Sequence, residues 1–361
     1  MKPTLAFFGS SLDSSYWNGT ATYYRGIIRA LYERGWAVTF YEPDIYDRQA
    51  HRDDPEWARV VVYSSTNPDA AARALDEASR ADVIVKASGV GVFDDCLDMA
   101  VASLRGTGPI CVYWDGDAAA TLDRLRAHPD DPLRALVPRF DVVLTYGGGD
   151  PVRRGYLALG ARECVPIYNA VDPRTHHPVA PQARFLGDLA LLANRLPDRE
   201  ARIDTFFLTA AERLPRHRFR LGGSGWSGKP MPANVDYVGH VPTRDHNAFN
   251  CSPLAVLNVN RESMARCGHS PTARVFEAAG VGACLITDAA PGIEPFLEPG
   301  REVLIAADGD DVVAHLAALT PSRAMRIGSA ARRRVLQRHT YAHRVASLEA
   351  LLDVSARQRL A

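Results

Sequence analysis

The sequence predicts an α/β protein made of two doubly wound domains, each a parallel sheet covered by helices. Three observations lead to this fold class. The chain has 361 residues, beyond the size at which a single hydrophobic core usually stops growing. Short apolar runs alternate with amphipathic stretches, the pattern of strands buried on both faces by crossover helices. That series occurs twice, with the proline-rich CVPIYNAVDPRTHHPVAPQ (164–182) between the two copies.

In the first series, TLAFFG (4–9) reads as a strand and ATYYRGIIRALYERG (21–35) as a helix stopped by its glycine. WAVTFYEP (36–43) is the next strand, and AAARALDEASRA (70–81) a helix. The strands DVIVKAS (82–88), PICVYWD (109–115) and DVVLTYG (141–147) follow. After the proline-rich stretch come the strand DLALLANR (188–195), the helix 198–214 and the strand RFRLGGSG (218–225) with its glycine-rich exit. NVDYVGHV, LAVLNVN and ACLITD read as further strands, with the helix TARVFEAAG before the last of them, and the chain ends helically. The expected division is 1–168, a linker at 169–182, a second domain at 183–338, and a C-terminal helix at 339–361 packing back on the first domain. Two such domains would face a central cleft at the carboxyl ends of their strands, where ligands of doubly wound folds bind.

Composition narrows the function. Lys plus Arg and Asp plus Glu both number 42, so broad charge-driven adhesion to nucleic acid or to an anionic membrane is not expected. No run is long and apolar enough for a transmembrane helix or a signal-peptide core. The six cysteines are scattered without a Cys-x-x-Cys pair, which suggests buried thiols in a reducing compartment, the cytoplasm fitting best. The histidines show no two-His-plus-carboxylate spacing, so no metal or other cofactor is expected.

The most informative segment is HSPTARVFEAAGVG (269–282). Ser270 and Pro271 suit a helix start, leaving the N–H groups of Thr272 and Ala273 at the positive end of the helix dipole, a cradle for a diphosphate. Arg274 and Glu277, three residues apart, share a face. The planar guanidinium suits phosphate and the carboxylate suits sugar hydroxyls, although an ordinary capped helix with a surface ion pair has the same residues. In GSSLDSSYWNGTATYYR (9–25), Gly9 ends the first strand. Ser10, Asp13, Asn18, Gly19 and Thr20 then bring small polar groups and backbone N–H to a habitual ligand position. YWDGDAAATL (113–122) sets Asp115 and Asp117 at a strand end, as a base or as a capping turn. Lys86 sits in an apolar strand, either paired there or reaching the cleft. GGSGWSGK (222–229) fails the P-loop spacing.

The run from Phe249 to Ile305 that contains this segment resembles the C-terminal part of retaining GT-B glycosyltransferases, in particular the CgeB-like, spore-maturation-type group. WNGTATYYR (17–25), NAVDPRTHHP (169–178), LLANRLPDR (191–199) and YVGHV (237–241) fall in the matching order. The resemblance implies a metal-independent glycosyltransferase of the hexosyltransferase type. Its donor would be a nucleoside-diphosphate sugar and its acceptor a hydroxyl-bearing small molecule or glycan. Glu277 would hold the ribose hydroxyls, and Ser270 to Ala273 the diphosphate. Arg195 and Arg274 would neutralise the leaving group, and Arg199 would stand in for a lysine usual in the group. Gly223 would line the diphosphate, and Gly239 and His240 would meet the base. The group often carries a second glutamate where this chain has His269, so retention is implied by kinship alone. The same fold also serves sugar-nucleotide epimerases and would serve a non-catalytic, coat-associated protein.

Overall fold

The computed structural model describes residues 2–14, 19–53 and 55–360, and the chain folds as two compact units. The first comprises 1–168 and 341–361, the second 169–340.

The first unit carries seven parallel strands: β1 (Thr4–Phe8), β2 (Ala37–Asp44), β3 (Arg59–Ser64), β4 (Val83–Ala87), β5 (Ile110–Asp115), β6 (Val142–Thr145) and β7 (Cys164–Pro166). Their order across the sheet is β3-β2-β1-β4-β5-β6-β7. Every residue of β4, β5 and β6 is buried, which is why these strands are continuous apolar runs rather than alternating ones. The core is aromatic: Phe7 stacks on Phe40 at 5.1 Å between centroids and meets Tyr24 edge-on at the same distance. The C-terminal helix Tyr341–Leu360 packs against the helix Gly19–Glu33. Tyr341 occupies the space a side chain at Gly26 would need, and the Trp36 indole donates to Glu349 Oε1 at 2.8 Å.

The second unit carries β8 (Gly187–Leu192), β9 (Phe219–Gly222), β10 (Val235–Gly239), β11 (Pro253–Asn258), β12 (Leu285–Asp288) and β13 (Leu304–Ala306). All pairings are parallel, in the order β10-β9-β8-β11-β12-β13. Its core gathers Leu189, Phe207, Phe219, Leu257 and Ile286. The helical stretch after β8 runs from Pro197 to Arg213 with a π turn at Asp204–Leu208, an irregularity that concentrates at functional sites.

Two expected bounds need correcting, and Cys164–Pro166, within the 1–168 expected for the first domain, is the edge strand of its sheet; its proline sits where no further strand needs its N–H. Residues 169–182 belong to the second unit, where Val171 N donates to His339 O at 2.9 Å and Ala170 and Val171 are buried. The boundary at the C-terminal end lies at 340/341 rather than 338/339. The units have the doubly wound topology, and strand order reverses between β1 and β4 and again between β8 and β11, the switch points beside which such folds bind ligands.

Candidate functional site

In the second unit the switch point is framed by the exits of β8 and β11. The exits of β8 and β9 are zipped together. Arg195 N donates to Ser224 O at 2.9 Å, Ser224 N donates to Asn194 Oδ1 at 2.9 Å, and the Trp226 indole donates to Ala193 O at 2.7 Å. This approach requires Gly223. Its φ is +123°, and a Cβ there would lie 2.1 Å from the Ala193 carbonyl oxygen. Gly223 N also donates to Gly239 O at 2.9 Å, so the β9 and β10 exits meet as well; the exposed His240 follows. Gly223→Ala is expected to destabilise the unit by about 2–4 kcal/mol, adding overpacking to a left-handed backbone. Urea denaturation would check this, and a loss under about 1 kcal/mol would mean the two exits are not tightly joined.

Cations collect on this edge. Arg195 makes a bidentate pair with Glu200, Nε to Oε2 at 2.7 Å and Nη2 to Oε1 at 2.8 Å. Lys229 joins the same carboxylate at 2.6 Å and reaches Asp204, on the π turn, at 2.8 Å. Hydrogen bonds from Arg195 and then Lys229 hold the Glu200 carboxyl down to about 2. Arg195 and Lys229 also line an open groove of about 570 Å³ with Asp204 and Thr209. Lys229 is thus a member of the site that local spacing did not reveal. The sequence signal was a glycine-rich exit from a strand adjacent to β8, because exits of neighbouring parallel strands lie side by side.

Arg199 donates to Asn194 O at 2.7 Å. Its guanidinium has a depressed proton affinity, first from burial and then from repulsion by Arg274 and Arg261. Arg261, also missed in the sequence, follows β11 and holds Asp198 at 2.6 Å. Arg199 therefore lies close enough to both Arg274 and Arg261 to be repelled by each, three guanidiniums from three segments in an arrangement suited to a multiply charged anion.

The helix Ala273–Val281 begins beside them. The helix starts later than the sequence suggested: Thr272, with φ −68° and ψ 163°, is the N-cap, and Ser270 and Pro271 lie before it. The Pro271 carbonyl accepts from Asn169 Nδ2 at 3.2 Å, and His269 N donates to Pro291 O at 2.6 Å. These tertiary bonds outcompete the local capping signal. Thr272 Oγ1 donates to Asn258 Oδ1 at 2.9 Å instead of capping the helix, so no side-chain cap competes with a ligand for the first-turn N–H groups of Ala273 and Arg274. His269 is left-handed with φ 53°, an uncommon state for a non-glycine residue that surrounding contacts must enforce.

Glu277 is buried in this helix. Its Oε2 lies 3.1 Å from Arg274 Nη1 and its Oε1 lies 3.8 Å from His176 Nε2. Burial pushes this carboxyl up, but Arg274, His176 and His246 together outweigh burial and hold it below its ordinary value. His246 is pushed down to about 4, by burial and then by Arg274. The edge thus offers arginines for phosphate next to an ionised buried carboxylate for hydroxyls.

The first unit's candidates are differently employed. Gly9 fits against the Phe40 ring, 2.4 Å from where a Cβ would stand. The loop after β1 is held by protein groups: Glu42 Oε2 accepts from Leu12 N at 2.6 Å and Asp13 N at 3.2 Å. Arg25 donates to Leu12 O and Asp13 O, and Arg48 to Ser10 O. The Asp13 carboxylate is buried and paired with Arg52 at 2.7 Å. Asn18 lies outside the described residues; the backbone of Gly19 and Thr20 opens the first helix. Asp115 is not placed to act as a base. It is fully buried; Oδ1 accepts from Ser88 Oγ at 2.9 Å and from Asp117 N at 3.0 Å, and Oδ2 accepts from the Tyr156 hydroxyl. Asp117 is exposed at a helix N-cap without capping through its side chain. Lys86 Nζ is buried at 2.7 Å from both Asp94 and Asp98 and so joins the sheet to the helix Asp94–Ser103 rather than reaching a ligand.

Comparison with known proteins agrees with this architecture. The family model described as "Glycosyl transferase-like" matches residues 199–350, under half of the chain. No curated protein sequence matches. Among solved structures, Anabaena HepE in complex with UDP and glucose superposes with a TM-score of 0.71 at 14% identity, over 98% of this chain and 100% of that one. An α-glucosyltransferase in complex with UDP and a DNA containing an HMU base gives 0.70 at 10% identity, over 98% and 99%. Sucrose-phosphate synthase from Thermosynechococcus elongatus gives 0.66 at 14% identity, over 97% and 98%. The two parallel-sheet, Rossmann-like domains of this chain have the GT-B glycosyltransferase fold.

Proposed function

We propose that the chain is a glycosyltransferase that binds a nucleoside-diphosphate sugar in its second unit and transfers the sugar to a hydroxyl-bearing acceptor, a small molecule or glycan. The observation that carries this reading is the convergence of Arg199, Arg261 and Arg274 beside an uncapped helix start and the ionised, buried Glu277. The diphosphate would take the arginines and the first-turn N–H groups; the ribose hydroxyls would donate to Glu277. Arg195 would exchange Glu200 for the departing phosphate, with Lys229 as the second cation, so that the charge developing on the leaving group meets preorganised donors without a metal. Uridine is the first base to test, because the HepE and α-glucosyltransferase structures hold UDP.

Retention is part of the proposal. Asp115 is locked by three hydrogen bonds and Asp13 is paired with Arg52, which favours a path in which the leaving phosphate takes the acceptor proton. Placement in the CgeB-like group rests on the order of the segments within 249–305. Six cysteines without a disulfide among the described residues suit the cytoplasm, and no helix among the described residues is long and apolar enough to cross a membrane.

The test is a thermal-shift panel of UDP, GDP, dTDP and ADP, followed by mass spectrometry of products from the matching sugar nucleotides with candidate acceptors. A nucleotide at a hundred times its Kd should stabilise the fold by ~2.7 kcal/mol. No shift with any nucleotide would refute the donor site, and donor isomerisation without acceptor would make the protein an epimerase.

A further inference from the structure

Glu277 has two other neighbours whose chemistry the donor reading does not use. His176 comes from the segment before β8, and His246 opens the short helix His246–Cys251. One ring nitrogen of each imidazole and a carboxylate oxygen of Glu277 all lie within 4.8 Å of one another. We propose that His176, His246 and Glu277 form a binding site for a divalent transition-metal ion, zinc above all, with an open fourth position.

The hydrogen bonds around the cluster are those a metal ligand set requires. A histidine ligand presents one nitrogen lone pair and normally donates its other N–H to an oxygen, which fixes tautomer and ring orientation. His176 Nδ1 lies 2.9 Å from Thr175 Oγ1. That hydroxyl donates its own proton to Asp172 O at 3.2 Å, so it accepts from Nδ1–H and leaves Nε2 as the lone pair. Nε2 is the nitrogen that faces Glu277 Oε1. The His246 Nε2 lies 3.2 Å from the Val241 carbonyl, an acceptor only, so Nε2 carries the proton and Nδ1 the lone pair. Both rings are thus oriented by oxygen acceptors from outside the cluster.

The carboxylate is divided in the same way. Arg274 faces Oε2 at 3.1 Å, while Oε1 points toward His176 at 3.8 Å. A 3.8 Å gap is too long for a hydrogen bond and suits two atoms sharing a small cation. Two imidazoles and one carboxylate with a vacant fourth position is a zinc donor set, preferred over magnesium or calcium because nitrogen ligands dominate. His176 and Glu277 are over nine-tenths buried, so the ion would be shielded from bulk water on their side.

Isothermal titration of the nucleotide-free full chain with zinc tests the proposal. One equivalent is expected to bind, with at least a 100-fold loss of affinity in His246→Ala and in His176→Ala. Thr175→Val, which touches only the orienting hydroxyl, should weaken binding by about 10–100-fold. Thermal melts of each variant separate lost ligation from lost folding. Cobalt(II) provides a second readout on the unaltered chain: a tetrahedral d–d spectrum without thiolate charge transfer supports the site. A thiolate charge-transfer band would place the ion on cysteines and overturn it. Zinc binding of equal strength in both histidine variants, or none in the unaltered chain, would overturn it as well. None of these readouts uses a nucleotide, so the metal site and the donor site can fail independently.

Discussion

Lys86→Met should destabilise the first unit by about 3–5 kcal/mol, the cost of leaving buried carboxylates without their cation. The lysine is fully buried in β4 and touches two carboxylates at 2.7 Å. Asp94 is also bound by the N–H groups of Val90 and Gly91 and is one-third exposed. Asp98 has less support. Burial pushes its carboxyl up, with Lys86 as the main opposing influence. Without Lys86 the folded-state value must rise further above the unfolded one, so the folded variant binds a proton that the unfolded chain has released. The sign follows: the variant should be more stable near pH 4 and lose stability as pH rises through the elevated Asp98 value. Adding Asp98→Leu should recover much of the loss at pH 7, because replacing a buried pair with packed apolar groups is often neutral. Urea denaturation at pH 4.5 and pH 7 measures both effects. A loss under 1 kcal/mol at pH 7 would show that Lys86 is not part of the structural frame and would return it to the acceptor candidates.

This lysine also shows how far the sequence could be read. The central strands β1, β4, β5 and β6 are legible because burial on both faces leaves only apolar residues, and a single lysine among them marks a special position without naming its partners. Those partners lie on the next helix, placed by the βαβ crossover rather than by any local spacing. Arg59–Ser64 is hard to read because it is an edge strand with Tyr63 its one buried residue, and its faces alternate too weakly for a period-two signal. Cys164–Pro166 is not legible as a strand because three residues ending in proline carry no strand signal. The candidate site is contiguous in the sequence only from Ser270 to Glu277. Arg261, Lys229 and the two histidines reach it from separate segments, and only the strand order brings those segments together. The helix start was misplaced because Asn169 and Asn258, far apart in the chain, hold the carbonyl of Pro271 and the hydroxyl of Thr272. A carboxylate at a strand end, such as Asp115, looks available in the sequence; Tyr156, forty-one residues on, removes that availability.

Glu277→Ala should weaken UDP binding by about 10²–10⁴-fold. A hydrogen bond to a charged group contributes about 1.5–3 kcal/mol; two ribose hydroxyls on one buried carboxylate therefore sum to about 3–6 kcal/mol, and 1.4 kcal/mol is tenfold in Kd. Folding should survive, because the substitution removes the charge whose Oε2 has an ion-pair contact with Arg274 but no aligned hydrogen bond. The arginine it leaves behind is one-fifth exposed, so about 1–2 kcal/mol of stability is at stake. Lost affinity alone would not separate a ribose contact from a general disturbance of the arginine cluster, so the decisive comparison is between UDP and 2′-deoxy-UDP. In the unaltered chain the deoxy nucleotide should bind about 10-fold or more weakly, since it cannot make one of the two bonds. In Glu277→Ala that discrimination should vanish while both nucleotides bind equally poorly. Glu277→Gln keeps the shape and removes the charge, and should fall between the two. If Glu277→Ala still prefers UDP over its deoxy form by the original factor, the carboxylate is not the ribose partner. The buried charge of Glu277 would then act on Arg274 and on the two imidazoles, with which the metal site proposed above is built.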